Sequence, residues 1–282
     1  MPALKFRLLN VFAETTFGGN PLSVIEDGSD LSDEQMQLIA RQFNLSETVF
    51  ILPSEKAAAR IRIFTPTYEM PFAGHPTLGS SHVVSQLRNA GDAFSLEMGA
   101  GVIPVQRRDG RWTLSANSPT TRPMAASREE LAAMLGLPVE AIGGPVMWVN
   151  CGTEQPMIPL TSVEYVNACH PNAELMARHS VNSSGQAKTY IFARTEDGFE
   201  ARYFWMSGPT SISEDPGTGS ACANLGGWWL ATQGDKPLSA HVHQARMIKR
   251  PNLLTLNVES GKIRVGGRVI EIGAGTLNLP DA

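Results

Sequence analysis

Two short stretches of the chain, about half of its 282 residues apart, are near copies of each other. Glu69-Met70-Pro71-Phe72-Ala73-Gly74-His75 and Glu214-Asp215-Pro216-Gly217-Thr218-Gly219-Ser220 share the pattern Glu-x-Pro-x-x-Gly. Before the first stands Ala59-Arg60-Ile61-Arg62-Ile63-Phe64, which aligns with Ala201-Arg202-Tyr203-Phe204-Trp205-Met206 before the second. Each copy reads as a strand, a glycine-containing turn and a helix. A duplicated unit of this kind constrains the chain to two similar halves. Two helix N-termini presented to one small ligand would then make a site shared between the halves.

A hydrophobic fraction of 42% in 282 residues is enough for a sizeable core, at a length where single cores begin to split in two. The expected boundaries are 1–118 for an N-terminal domain, with a last strand at about 268–282 returning to it, and 119–267 for a C-terminal domain. The polar, proline-containing run from Ser115 to Pro123 is the linker candidate. A net charge of −4, with no Lys/Arg-rich run, argues against a nucleic-acid partner. Met1-Pro2-Ala3 leads straight into an alternating segment without an apolar stretch, so the expected location is cytoplasmic, away from any membrane. Cys151, Cys169 and Cys222 are odd in number and widely spaced, and form neither a disulfide framework nor a metal motif.

Strand-like segments fall near 5–13, 47–52, 58–65, 101–106, 111–116, 188–194, 199–206, 253–258 and 263–272. Helices are predicted after Ser32, ending at Asn44, from His75-Pro76, after the capping box Ser127 to Glu130, ending at Gly136, and from Thr218 to Leu230. The last is apolar on nearly every face and so belongs inside a sheet. Many strands with one apolar helix per half give an α+β architecture: two pseudo-symmetric domains, each a curved, mostly antiparallel sheet around a central helix.

Glu47, in Asn44-Leu45-Ser46-Glu47-Thr48-Val49-Phe50-Ile51, shares a strand face with Leu45, Val49 and Ile51. It is the only acidic residue found on an apolar strand face. Burial there would raise its pKa into the range a general acid/base needs; a strand-end Glu reaching solvent or pairing with Arg is the plainer alternative. Asp215-Pro216 has the form of an ordinary helix start, N-cap then Pro, but Gly217-Thr218-Gly219-Ser220 adds a glycine turn suited to an anion. His75 occupies the equivalent place in the first half, either as a helix cap or as a proton handler paired with Ser220. His241-Val242-His243 puts two imidazoles on one strand face without an evident third metal ligand.

The chain resembles the PhzF family of phenazine biosynthesis-related isomerases, within the diaminopimelate epimerase-like superfamily. The resemblance rests on Val11-Phe12, Phe17-Gly18-Gly19-Asn20-Pro21, Asn44-Leu45-Ser46-Glu47-Thr48, Phe64-Thr65-Pro66, Glu69 through Gly79, and Glu214 through Ala221. It implies the epimerase-like fold, a homodimer and no cofactor. It also implies Glu47 as proton shuttle, His75, Asp215 and Ser220 holding and polarising the substrate, backbone donors at Gly74 and Gly219, and Asn20 beside the substrate. Epimerases of the superfamily use two cysteines; Ala73 and Thr218 stand in those positions here, which argues against two-thiol racemisation. The expectation is a cofactor-independent isomerase moving a proton between carbons of a small carboxylated substrate. The alternatives are an amino-acid epimerase or racemase, in which Glu47 and Asp215 replace the thiols, and a metabolite-binding protein without turnover.

Overall fold

In a computed structural model of the chain, residues 3–279 are described; residues 280–282 of the expected returning strand, and Met1-Pro2, lie outside them. The chain divides into two compact units, Met1–Ser115 with Gly266–Ala282, and Ala116–Val265. Unit 1 contains β1 (Ala3–Val11), β2 (Asn20–Ile25), α1 (Asp33–Phe43), β3 (Thr48–Leu52), β4 (Ala59–Phe64), β5 (Glu69–Met70), α2 (Gly74–Leu87), β6 (Ala93–Met98), β7 (Gly101–Arg108) and β8 (Arg111–Ser115). Unit 2 contains β9 (Thr120–Pro123), α3 (Arg128–Leu135), β10 (Met147–Asn150), β11 (Glu154–Pro159), α4 (Val163–Ala168), α5 (Ala173–His179), β12 (Lys188–Arg194), β13 (Gly198–Met206), β14 (Ile212–Asp215), α6 (Gly219–Gln233), β15 (Leu238–Gln244) and β16 (Asn252–Glu259). The last strand, β17 (Lys262–Asn278), begins in unit 2 and continues in unit 1.

Local signals account for the helix ends. Ser32 accepts from the Gln35 N–H while the Gln35 side chain returns to the Ser32 N–H, and Asn44 stops α1 in the left-handed region at φ 51°. Ser127 and Glu130 do the same for α3, with Gly136 at φ 67° as its stop. Among the described residues, no helix is long and apolar enough to cross a membrane.

In unit 1 the strand pairings run β17–β1–β2–β3–β4–β6–β7–β8 and return from β8 to β17. The β2–β3 and β4–β6 pairs are parallel, while β17–β1, β1–β2, β3–β4, β6–β7 and β7–β8 are antiparallel. The buried helix α2 packs on β1, β2, β3, β4 and β8, and Gly79 is the close-approach point, where a Cβ would strike Leu22. Unit 2 repeats the order. Here β9–β10–β11 is followed by parallel β12, antiparallel β13, and parallel β15 with antiparallel β16, while α6 packs on β9, β10, β11 and β16. Close packing again needs glycine: a Cβ at Gly227 would lie 2.7 Å from Val149 Cγ1, and one at Gly226 2.7 Å from Ile263 Cγ2.

The duplication is therefore structural, but its register differs from the sequence alignment by two residues. Phe64 pairs with Glu69 and Phe204 pairs with Glu214, so Arg62, not Arg60, is the counterpart of Arg202. Both arginines grip the repeat's glutamate with two nitrogens: Arg62 at 2.7 and 2.6 Å from Glu69, Arg202 at 3.0 and 2.8 Å from Glu214. Each also lies over the phenylalanine two residues on, Phe64 or Phe204. The linker also comes out shorter than the sequence suggested: Thr120–Pro123 is strand β9, paired with β10, because its alternating backbone completes the edge of the unit 2 sheet.

Candidate active site

Unit 1 gathers Asn20, Glu47 and His75. The loop ahead of Asn20 turns back through Gly19 at φ 80°, where a Cβ would sit 2.7 Å from both Ala13 Cβ and the Val11 carbonyl oxygen. Only glycine fits, and the reversal sets Asn20 opposite Val11 as the first residue of β2. Glu47 stands immediately before β3 rather than within it. Its burial does not arise from strand alternation, since Thr48 through Ile51 are buried on both faces. The side chain is held by the short turn that follows the Asn44 helix stop.

His75 is the second residue of α2 and only 6% exposed, while Asn20 is 1% exposed. His75 Nε2 lies 3.3 Å from Glu47 Oε2, and His75 Nδ1 lies 3.5 Å from Asn20 Nδ2. The Ser46 hydroxyl donates to Asn20 Oδ1 at 3.4 Å. In this orientation the Asn20 oxygen faces the Ser46 hydroxyl and its nitrogen faces Nδ1. With Nδ1 accepting, the neutral imidazole carries its proton on Nε2, facing Glu47. His75 is thus a buried group and not a surface helix cap. Burial pushes the Glu47 carboxyl up to about 7, against a smaller downward pull from Ser46. Oε2 is sealed from solvent, yet the side chain as a whole keeps 15% exposure, which leaves one edge open to exchange a proton.

Unit 2 assembles Asp215, Thr218, Ser220 and Gln244. Asp215 ends β14, and α6 begins at Gly219 with Thr218 as its N-cap. Asp215 and Pro216 are therefore not the N-cap and first helical residue; the Gly217-Thr218 turn pushes the helix start further on. The Thr218 hydroxyl donates to Asp215 Oδ2 and accepts from Gln244 Nε2 at 3.0 Å. Gln244 also donates to the Asp215 carbonyl at 2.8 Å and accepts from the Thr218 N–H at 3.3 Å. Ser220 Oγ accepts from Gln155 Nε2 at 3.1 Å.

Ala73 is the N-cap of α2 as Thr218 is of α6, and neither side chain caps its helix. An alanine there forgoes about 1 kcal/mol relative to Ser or Asp, so the first turns beginning at Gly74 and Gly219 receive no side-chain acceptor from their caps. Each such start offers N–H groups and the positive end of a helix to an anion. The thiols stand elsewhere. Burial pushes Cys151 and Cys169 up to about 12 and Cys222 upward as well.

One group departs from the sequence reading. Glu200, on β13, is 2% exposed, with burial pushing it up to about 7 and Arg246 Nη1 at 3.1 Å, so a buried acid does stand in an apolar strand, whereas Glu47 precedes its own. Alternation alone would have placed it on the polar face with Arg202; β13 is buried on both faces from Gly198 to Phe204. His241 and His243 share a carboxylate, Asp197 Oδ2, at 3.3 and 2.9 Å, yet no group of three residues among those described could hold a metal ion. Gln155, Asn224 and Gln244 were missed, because uncharged amides leave no charge pattern; Asn224 inside an otherwise apolar helix was the available signal.

The family described as phenazine biosynthesis-like protein, PhzC-PhzF, matches residues 9–275. An uncharacterized isomerase of Pasteurella multocida is 40% identical over 98% of this chain and 94% of its own. The trans-2,3-dihydro-3-hydroxyanthranilate isomerase of Pseudomonas chlororaphis is 31% identical over 96% of this chain and 98% of its own. A crystal structure of a Bacillus anthracis phenazine biosynthesis protein of the PhzF family superposes with a TM-score of 0.89 at 25% identity, covering 99% of this chain and 100% of the other. The chain belongs to the PhzC-PhzF family of phenazine biosynthesis-like proteins and is an isomerase.

Proposed function

We propose that the chain moves a proton between two carbons of a small carboxylated substrate, with Glu47 removing it at one carbon and returning it at the other. The observation that carries this reading is the Glu47 carboxyl, sealed on one side and pushed up to about 7, beside the Nε2 of His75. At neutral pH such a group is divided between acid and base forms, which suits a shuttle that must act as each in turn. In the scheme a C–H bond breaks to Glu47, the electron pair shifts through an allylic or enamine-like framework, and the new C–H bond forms with the same proton. No metal or redox group enters that balance.

The donors available to a substrate carboxylate are the first-turn N–H groups from Gly74 in unit 1 and, in unit 2, those from Gly219 and the Ser220 hydroxyl. Asn20 and His75 orient and polarise the substrate, and Asp215 accepts from its amine or hydroxyl. Asp215 is braced by Thr218 and Gln244, an arrangement that favours holding over shuttling and so favours isomerisation over two-base epimerisation. The relatives' substrate, trans-2,3-dihydro-3-hydroxyanthranilate, is the first compound to assay. Glu47→Gln keeps size and hydrogen-bonding reach but cannot alternate protonation. Turnover should fall by a factor on the order of 10²–10⁴ while folding survives; a variant retaining most of its activity would remove Glu47 from the mechanism. We also propose a cytoplasmic homodimer, to be measured by sedimentation and by cell fractionation.

A further inference from the structure

We propose that Gln155 and Asn224 are positioning residues that fix the Ser220 hydroxyl as a hydrogen-bond donor to the substrate. The polarity starts at the backbone, where roles cannot be exchanged. Asn224, on α6 and 0% exposed, accepts the Cys151 N–H on Oδ1 at 2.8 Å and donates from Nδ2 to the Thr153 carbonyl at 2.8 Å. An inverted Asn224 amide would set donor against donor and acceptor against acceptor at these two contacts.

The same Nδ2 donates to Gln155 Oε1 at 2.6 Å. Gln155, on β11 and 1% exposed, is thereby oriented with Oε1 toward Asn224 and Nε2 toward Ser220 Oγ, 3.1 Å away. Ser220 Oγ is left as the acceptor in that contact, so its proton is directed away from Gln155. A serine can ordinarily rotate between donating and accepting; here two buried amides settle the choice before any ligand arrives. Because both amides are neutral, they do so without adding charge beside Asp215. The donor role of Ser220 toward substrate rests on the proposed function; the direction of the hydroxyl does not.

The direction is tested by neutron diffraction on the perdeuterated wild-type protein. The Ser220 deuteron should point away from Gln155, with two deuterons on the Gln155 nitrogen facing Ser220 Oγ. A Ser220 deuteron lying on the line to Gln155 overturns the relay.

Its functional weight is tested with Gln155→Glu, using calorimetric titration of trans-2,3-dihydro-3-hydroxyanthranilate across pH. When ionised, the introduced carboxylate would accept the Ser220 proton, so affinity should fall about tenfold relative to wild type, the weight of one hydrogen bond. Once protonated, the same carboxyl group donates to Ser220 Oγ and the deficit should close. Charge repulsion alone would show the same pH trend, so the measurement is repeated on Ser220→Ala. There the pH-dependent deficit caused by Gln155→Glu should vanish; its persistence assigns the effect to repulsion and overturns the relay. If Ser220→Ala binds as tightly as wild type, or wild type does not bind the compound, the substrate reading of Ser220 fails, and the neutron map still judges the relay by itself.

Discussion

The Nε2 of His75 lies 3.3 Å from Oε2 of Glu47, so the imidazole proton and the carboxyl proton share one small buried space. The tautomer of the ring and the charge of the carboxyl are therefore linked, and both can be measured.

Burial raises the folded pKa of Glu47 from an ordinary 4.5 to about 7, so the folded state binds this proton more tightly than the unfolded chain. The stabilisation is complete below about pH 4.5 and is lost as pH rises to about 7. Glu47→Gln removes that dependence. Chemical denaturation should find the variant about 3 kcal/mol more stable relative to wild type at pH 8 than at pH 4, an order-of-magnitude figure from the size of the shift. Glu200 titrates in both proteins and cancels in the difference. Parallel stability–pH curves for the two proteins would show that Glu47 is ordinarily solvated.

Asn20 presents an amide nitrogen to His75 Nδ1. Asn20→Asp replaces that donor with an acceptor, so the ring should either move its proton to Nδ1 or become doubly protonated. Nitrogen-15 NMR of His75 should show a protonated Nδ1, and turnover should drop by about tenfold or more, the weight of one misdirected hydrogen bond. An unchanged Nε2–H tautomer would show that Asn20 does not hold Nδ1 as an acceptor.

The cysteines should be dispensable. With Cys151 and Cys169 pushed up to about 12, almost no thiolate exists at neutral pH. Alkylation should be slow, and replacement of all three by Ala or Ser should leave kcat within about threefold in a folded protein, far below the 10²–10⁴ weight of an acid/base residue. A folded single-cysteine variant that has lost turnover would restore a thiol mechanism.

The duplicated Arg–Glu clamps should differ in weight. Arg202 and Glu214 side chains are each 9% exposed, and Arg202 also donates to the Val166 and Cys169 carbonyls at 3.1 and 2.8 Å. Glu69, in the other clamp, is 41% exposed. Arg202→Ala should cost about 3–5 kcal/mol because it strands a buried carboxylate. Arg62→Ala should cost no more than about 1 kcal/mol, as exposed pairs do. Equal midpoint shifts in urea would contradict this ranking.

Much of the scaffold was legible where the signal is local. The helix start at Ser32, the capping box at Ser127 and the segment 188–194 needed only neighbouring residues. The repeat was legible as composition but not as register, since Arg60 and Arg62 both fit a period of two and only the pairing of Phe64 with Glu69 chooses between them. Strand-like character in the sequence covers 263–272, and the returning strand was expected over about 268–282; β17 runs unbroken from Lys262 to Asn278 through Gly273 and Gly275. It continues because a Cβ at Gly275 would meet the Phe6 ring at 2.7 Å, so the glycine makes room for a side chain on the paired strand. Among the candidate residues, Glu47, His75 and Asp215 announced themselves by charge or motif. The amides that orient their surroundings did not, because their roles depend on backbone groups distant in sequence.

The two-segment make-up of unit 1 sets an order of events during synthesis. Strand β1 emerges well ahead of residues 269–278, which pair one of its edges. Unit 2, being continuous from Ala116 to Val265, has its full sequence available before that partner leaves the ribosome. At about 5–20 residues per second, the wait is on the order of ten seconds. Throughout that interval β1 carries an open edge of the kind that recruits foreign strands. A ribosome-bound chain truncated before Gly266 should thus be the form that chaperones hold, and release of the C-terminal strand the step that frees it.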